Sequence, residues 1–448
     1  VVDSEMLAFS QGVTRRGSYA AYIHMSHPEV EEFLDMRKPT GGDTNRKCLN
    51  LHHGVVIPDK FMEIIHRATK EDGFDDSWEL IDPHSGEVKK VVSARTLWVK
   101  LLQNRMETGE PYLMFEDAVN ADLPQFQKDK GMRVHHSNLC SEITLATDEE
   151  RTAVCCLSSV NLEYYDEWKK VPAFIPDLIR MLDNVLESFI QNAPQQLERA
   201  QFSAMRERSL GLGAMGFHAY LQKNGISFES PIASAINYEI FESIKSQAQE
   251  TTEQLAVERG ACPDDDSCSV RNAHLLAIAP NASSSIICGN TSPSIEPYRA
   301  NAYTQKTKSG SYLQKNKFLE KVLEKYNSNN ENTWKSIVTN KGSVQHLEFL
   351  SEEEKEVFKT AVEINQSWVI EHAAQRQEFI CQSQSVNLFF PPDVNKGELH
   401  NIHMLAWAKN MKTLYYLRSE AISRADNVSN KIKREIIFEQ QDCLSCEG

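Results

Sequence analysis

The sequence predicts an α/β protein built on a largely parallel sheet or barrel, because short apolar runs of strand character alternate with longer helical patterns along most of the chain. The bulk composition agrees: 448 residues, 41% hydrophobic and 25% charged, can bury a large core in one big α/β domain or in two to three smaller ones. No internal repeat is seen.

Charge and cysteine usage narrow the function classes. Against 48 basic residues stand 63 acidic ones, a net charge of -15, and no Lys/Arg cluster offers a nucleic-acid surface. Small anions remain candidate ligands, because backbone N–H groups at turns and helix starts bind phosphate without net positive charge. No run of about 18 apolar residues and no charged-then-apolar leader occurs, so neither a membrane span nor a secretion signal is expected. Ten scattered cysteines in a chain this long predict reduced thiols in the cytoplasm, not a disulfide framework. The text opens at Val1 without a helix-start signal and reads as the continuation of something longer.

Taken in order, residues 1–57 alternate the Gly-rich turns "SQGVTRRGS" (10–18) and "KPTGGDTNRKC" (38–48) with apolar runs such as "AAYIHM" and "LNLHHGVVI". Helical periodicity follows over 58–71, opened by Pro58 and Asp59, and over 94–108. Two strand-like stretches, 135–144 and 152–162, are separated by the charged turn "TDEER". Helices are predicted over 173–192 and 232–259, the second stopped by Gly260. "HLLAIAP" (274–280) is a short apolar run entering the Ser-rich turn "NASSSIICGN". A long helix is expected from Ser351, which sits at capping-box spacing from Glu354, toward residue 378. "SVNLFFPP" reads as a strand, 396–411 as a helix, "KTLYYLR" as a strand, and the last twenty or so residues as a polar, mobile tail.

Four motifs are weighed for chemistry. "HHSNLCSEIT" (135–144) spaces Asn138, Cys140 and Glu142 two apart, which on a strand would line one face with an amide, a thiol and a carboxylate within about 14 Å. Burying those polar groups costs free energy unless they serve a ligand, whereas a lone buried Cys would be inert packing. Tyr415 and Tyr416 would point to opposite faces of a regular strand, so a shared role needs a local twist. The terminal Cys443 and Cys446 form a C-x-x-C without a second ligand pair for zinc, leaving a tethered dithiol capable of exchange or a chance pair. "GLGAMG" (Gly211, Gly213, Gly216) matches G-x-G-x-x-G, yet the preceding "FSAMRERSL" is charged and helical, so helix packing through small residues explains it better than dinucleotide binding.

"SNLCSEI", "AVCCLSSVNL", "APNASSSI", "IEPYRANAYT", "KTLYY" and the terminal C-x-x-C occur in an order that resembles the large, catalytic subunit of class I ribonucleotide reductases over essentially the whole chain. The resemblance implies an incomplete ten-stranded α/β barrel over 1–424 with the thiol on a central finger loop, followed by a redox-shuttle tail over 425–448. It implies that Cys140 becomes a thiyl radical removing the 3'-hydrogen of a ribonucleoside diphosphate, Glu142 is the base for the 3'-hydroxyl, and Asn138 holds the substrate. Cys155 would supply reducing equivalents, and Cys156 has no implied role. Tyr415 and Tyr416 would relay the radical, and Cys443 and Cys446 would re-reduce the active-site disulfide, themselves reduced by thioredoxin or glutaredoxin.

The same resemblance places the substrate diphosphate on Pro280, Asn281, Ala282, Ser283, Ser284 and Ser285, with Ala282 standing where some relatives carry an acid. It places deoxynucleotide or ATP effectors on Arg15, Arg16, Gly41, Gly42 and Arg46. No cofactor is implied on this chain itself. A dinuclear metal would reside in a radical-generating small subunit, and a dimer of catalytic subunits is expected. The family's ATP cone, first barrel strand and second reducing cysteine match nothing in this sequence, so an N-terminal polypeptide is an expected partner and the chain is expected to be inactive alone. Cys48 falls in the second effector loop and does not match that cysteine. Two alternatives are an idle nucleotide-binding regulatory relative, against which the intact catalytic set argues, and a cobalamin-dependent reductase, against which the tyrosine pair argues.

Overall fold

Residues 1–11, 15–307 and 310–419 are described by the computed structural model. Three parallel strands, β1 (Ala20–His24), β2 (His52–Ile57) and β3 (Tyr112–Phe115), form one rank. All residues of β2 and β3 are buried, the pattern of a parallel sheet covered on both faces. A second rank begins with β4 (Cys156–Asn161) parallel to β5 (Leu210–Met215) and continues through parallel bridges Leu212 to Leu276 and Ile278 to Gln384. It ends with β6 (Leu388–Phe390), β7 (Thr413–Leu414) and β8 (Leu417–Ser419), where β6 and β8 are parallel. The ranks meet where β7 runs antiparallel to β3. Hydrogen bonds thus trace an arc from β1 to β4, an α/β architecture that does not close into a barrel among the described residues.

Helices connect the parallel strands and cover the arc. Ala94–Thr108 starts where Ser93 caps the Thr96 N–H and stops at Gly109, whose φ of 84° is left-handed. Pro231–Arg259 is capped by Ser230, and Gly260 ends it as the sequence predicts. That helix packs on Phe174–Asn192 and Gln366–Gln377. Val55, Leu101, Leu212, Phe217 and Ile240 belong to the same continuous core, so strands and helices share one apolar interior. No helix among the described residues is long and apolar enough to cross a membrane.

Four local expectations are corrected. The helix expected from Ser351 to about 378 has its capping box, but it ends at Val357 and resumes at Gln366–Gln377. Between them the Ala361 N–H donates to the Tyr298 carbonyl, and Glu363 accepts from both the N–H and the hydroxyl of Thr360. "KTLYYLR" is broken at the tyrosine pair, because the Tyr415 N–H bonds Val386 and the Tyr416 N–H bonds the Asn387 side chain.

"GLGAMG" lies on β5 and its exit, not on a helix. A Cβ at Gly213 would overlap the Ala277 carbonyl, and one at Gly211 would overlap Leu157, so the glycines permit close strand packing. Finally, 135–144 is a loop. The Asn138 N–H bonds the Ile143 carbonyl at 3.2 Å, the Ile143 N–H bonds Asn138 Oδ1 at 3.1 Å, and Ser141 takes a φ of 70° between them.

Candidate active site

That loop is pinned by the two strand segments beside it. The Ser385 hydroxyl donates to the Cys140 carbonyl at 2.6 Å, Thr413 Oγ1 to the Ser141 carbonyl at 3.0 Å, and the Ser383 N–H to the Glu142 carbonyl at 2.9 Å. On the β1 side, Tyr22 shares a 2.5 Å bond with Ser137. A positive-φ turn thus replaces strand pleat as the means of aiming Cys140, which is only 4% exposed. Its neighbours in the cluster are Tyr112, Tyr415 and Tyr416.

The two tyrosines are brought together by the strand break. Their ring centroids lie 4.2 Å apart, and the Tyr415 hydroxyl donates to Cys140 Sγ at 3.5 Å. Tyr416, Tyr415 and the thiol form a contiguous buried row. The direct bond from Tyr415 to the thiol, with the second ring packed against the first, suits hydrogen-atom transfer.

Glu142 is 2% exposed and accepts from Ser385 at 3.3 Å. Burial pushes its carboxyl up to about 7, although its own backbone N–H, the Asn138 amide and Ser385 pull the other way. A carboxyl near neutrality exchanges a proton readily, the property of a general base. Cys155 stands at the entry to β4, packed against Ile143, Leu145 and Ala277, and the Gln382 amide donates to its sulfur at 3.3 Å. Desolvation raises its thiol well above the ordinary value, which keeps it protonated. Cys156 is half-buried and likewise raised by desolvation.

The Ser-rich turn lies across the same interior. Asn281, at a left-handed φ of 51°, precedes the short helix Ala282–Ile287, and its side chain accepts from Ser159. Pro280, Ala282 and Ser285 are buried, while Ser283 and Ser284 are half-buried. A small cavity joins Pro280 and Ala282 to Tyr415, with Glu296, Arg299, Asn387 and Arg418 on its walls.

The other expected residues stand apart from this centre. Arg15 and Arg16 form a short antiparallel ladder with Gln11 and Ser10. Gly41 and Gly42 adopt φ of 75° and 69°, and Arg46 is exposed and paired with Glu32. Cys443 and Cys446 lie outside the described residues.

Several neighbours of the site were not foreseen. Arg418 lies 4.1 Å from the Tyr416 ring centroid, His52 adjoins the Tyr416 hydroxyl, and Glu110 is bonded in turn to His52. Cys381 receives N–H groups of Leu275 and Leu276 at 3.1 and 3.3 Å. Burial would raise that thiol, but His274, Lys245 and the Leu275 N–H bring it down to about 6. Arg299 and Arg418 sit inside the recognised segments "IEPYRANAYT" and "KTLYYLR", a signal that could have found them. His52, Glu110 and Cys381 have no motif.

The family described as "Ribonucleotide reductase, barrel domain" matches residues 1–267 and 265–417. A ribonucleoside-diphosphate reductase large subunit of Invertebrate iridescent virus 3 is 45% identical, covering 100% of this chain and 79% of that protein. A putative large subunit of Frog virus 3 is 48% identical, covering 100% and 78%. A solved structure, the Actinobacillus ureae class Id ribonucleotide reductase alpha subunit, is 39% identical with a TM-score of 0.79, covering 91% of this chain and 71% of that one.

Proposed function

The chain belongs to the class I ribonucleotide reductase large-subunit family, and from that premise we propose that Cys140 is its radical-bearing thiol. The family reaction is the reduction of ribonucleoside diphosphates to deoxyribonucleoside diphosphates for DNA synthesis, with the large subunit as the catalytic member that pairs with a small subunit. The observation that carries the assignment is the 3.5 Å bond from Tyr415 to Cys140 within a buried row that continues to Tyr416.

In this reading a radical from the small subunit, generated at a dinuclear metal there, reaches Tyr416. Tyr415 then passes it to Cys140 by giving up its phenolic hydrogen and taking the thiol hydrogen. The Cys140 thiyl removes the 3'-hydrogen of the ribose. Glu142 accepts the 3'-hydroxyl proton, and the 2'-hydroxyl leaves as water while Cys155 and a second thiol are oxidised to a disulfide. Asn138 orients the ribose, and the Pro280–Ser285 turn holds the diphosphate through N–H and hydroxyl groups.

Cys443 and Cys446 return the disulfide to dithiol and are recharged by thioredoxin or glutaredoxin. Arg15, Arg16, Gly41, Gly42 and Arg46 read a deoxynucleotide or ATP effector across a dimer of catalytic subunits. The eight free cysteines among the described residues fit a reducing, cytoplasmic setting.

Assayed with its small subunit, the partner polypeptide that supplies the second thiol, a ribonucleoside diphosphate and thioredoxin, Cys140→Ser abolishes turnover. Cys443→Ser loses it with thioredoxin but keeps it with dithiothreitol. Turnover by Cys140→Ser, or equal loss of Cys443→Ser with both reductants, contradicts the assignment.

A further inference from the structure

Beside the Tyr416 hydroxyl stands a buried cluster of charged groups. His52 on β2 is 7% exposed and Glu110, just before β3, is 1% exposed. His52 Nδ1 lies 2.7 Å from Glu110 Oε1, and the Tyr416 hydroxyl lies 3.3 Å from the same nitrogen. Glu110 also pairs with Arg37 at 3.3 Å and accepts the His53 N–H at 2.9 Å. Burial raises its carboxyl, but Arg37, His52 and His53 outweigh that and hold it down at about 2.

An ionised carboxylate only accepts hydrogen bonds, so the hydrogen shared at 2.7 Å sits on His52 Nδ1. Tyr416 therefore faces an N–H, not a lone pair. Its oxygen receives the weaker branch of a three-centre bond, as occurs elsewhere when one N–H serves two acceptors. The phenolic hydrogen of Tyr416 is then not spent on His52. The two rings meet edge-on at 6.1 Å, and His52 is itself stacked on Tyr112 at 6.0 Å, which fixes its plane.

We propose that His52, locked by Glu110, is a positioning residue for Tyr416: its Nδ1–H holds the phenol oxygen so that Tyr416, once it has given its own hydrogen atom outward to the small-subunit side, takes one from Tyr415 and none from the imidazole. The inference rests on the reading of the two tyrosines as the radical relay. In the inward step the Tyr415 O–H bond breaks as the Tyr416 O–H bond forms. One proton and one electron move together, and no charge is left behind in the buried cluster. His52 neither gains nor loses a proton. Its N–H donates to the phenoxyl oxygen as it did to the phenol.

The test uses the complete enzyme with small subunit, effector and substrate, carrying 3-aminotyrosine at position 416 as a radical trap. High-field electron paramagnetic resonance reads the hydrogen bond at the trapped radical through its largest g value. His52→Phe is expected to raise that g value. In the otherwise native enzyme His52→Phe lowers turnover roughly 10- to 100-fold, the scale of one charge-assisted hydrogen bond. His52→Gln, which keeps a donor, restores part of both.

Glu110→Gln keeps His52 but removes the charge that fixes its hydrogen, and it is expected to shift the g value as well. This variant serves if His52→Phe does not fold. A trapped radical whose g value is unchanged in the folded His52→Phe or Glu110→Gln enzyme, with native turnover, overturns the inference and leaves the relay standing. Absence of a radical at 416 together with full turnover in Tyr416→Phe overturns the relay itself, and the role of His52 with it.

Discussion

Tyr415 reaches Cys140 at 3.5 Å because each is held by its backbone as well as its packing. The Tyr415 N–H is bonded to Val386, its carbonyl receives Arg105 at 3.1 Å, and the Cys140 carbonyl receives Ser385, one residue before Val386. The same short segment therefore sets the positions of both side chains. Removing the Tyr415 hydroxyl leaves that backbone frame intact. Tyr415→Phe is expected to lower turnover roughly 1,000-fold or more, the scale of losing a reacting group, with an unchanged melting temperature. Steady-state assay beside calorimetry checks it, and turnover within tenfold of native removes Tyr415 from the relay.

Glu142, as the proposed base, is expected to set the acid side of the pH profile. A base works ionised, and its carboxyl is raised by burial to about 7, so kcat/KM is expected to fall as pH drops through that value. Glu142→Gln is expected to flatten this limb and cost roughly 100- to 10,000-fold in rate. A native profile that stays level down to pH 5 contradicts the role.

Ser385 couples the thiol and the base. It bonds the Cys140 carbonyl and the Glu142 carboxylate, and the second bond lowers the pKa of that carboxyl. Ser385→Ala is therefore expected to move the acid limb upward and to destabilise the fold by about 1–2 kcal/mol through lost buried hydrogen bonds. Denaturant titration and a pH series read the two effects separately. A limb that moves downward reverses the sign of the argument.

Gly213 tests the packing of the second rank. A Cβ there would overlap the Ala277 carbonyl, a backbone atom that cannot swing aside. Gly213→Ala is expected to cost about 1–3 kcal/mol, the range of an overpacked core. Native stability in chemical denaturation would show that the strands are farther apart than described.

The strand and helix alternation was legible in the sequence, and so was the close spacing of Asn138, Cys140 and Glu142, but the way these three residues are held was not. Period-two spacing suggests one face of a strand for Asn138, Cys140 and Glu142. The real device is the Asn138 to Ile143 clasp with Ser141 at positive φ, anchored by residues more than 240 positions away. Distance in sequence also hid His52 and Glu110, because neither belongs to a motif and Tyr416 lies 364 residues beyond His52. The break in the helix after Val357 escaped for a similar reason. Its local pattern is continuous, and a distant carbonyl, that of Tyr298, draws the Ala361 N–H out of it.

The anchors of the Cys140 loop have a consequence for biosynthesis. Ser383, Ser385, Thr413 and Tyr415 are translated some 240 to 280 residues after the thiol they hold. A nascent chain can fold β1 to β3 early, since those contacts are sequential, but the row of hydrogen donors ending at Cys140 comes into existence only when β7 docks against β3. Every partly synthesised copy thus lacks the anchored Cys140 loop, whose assembly waits until residues 383–415 have emerged.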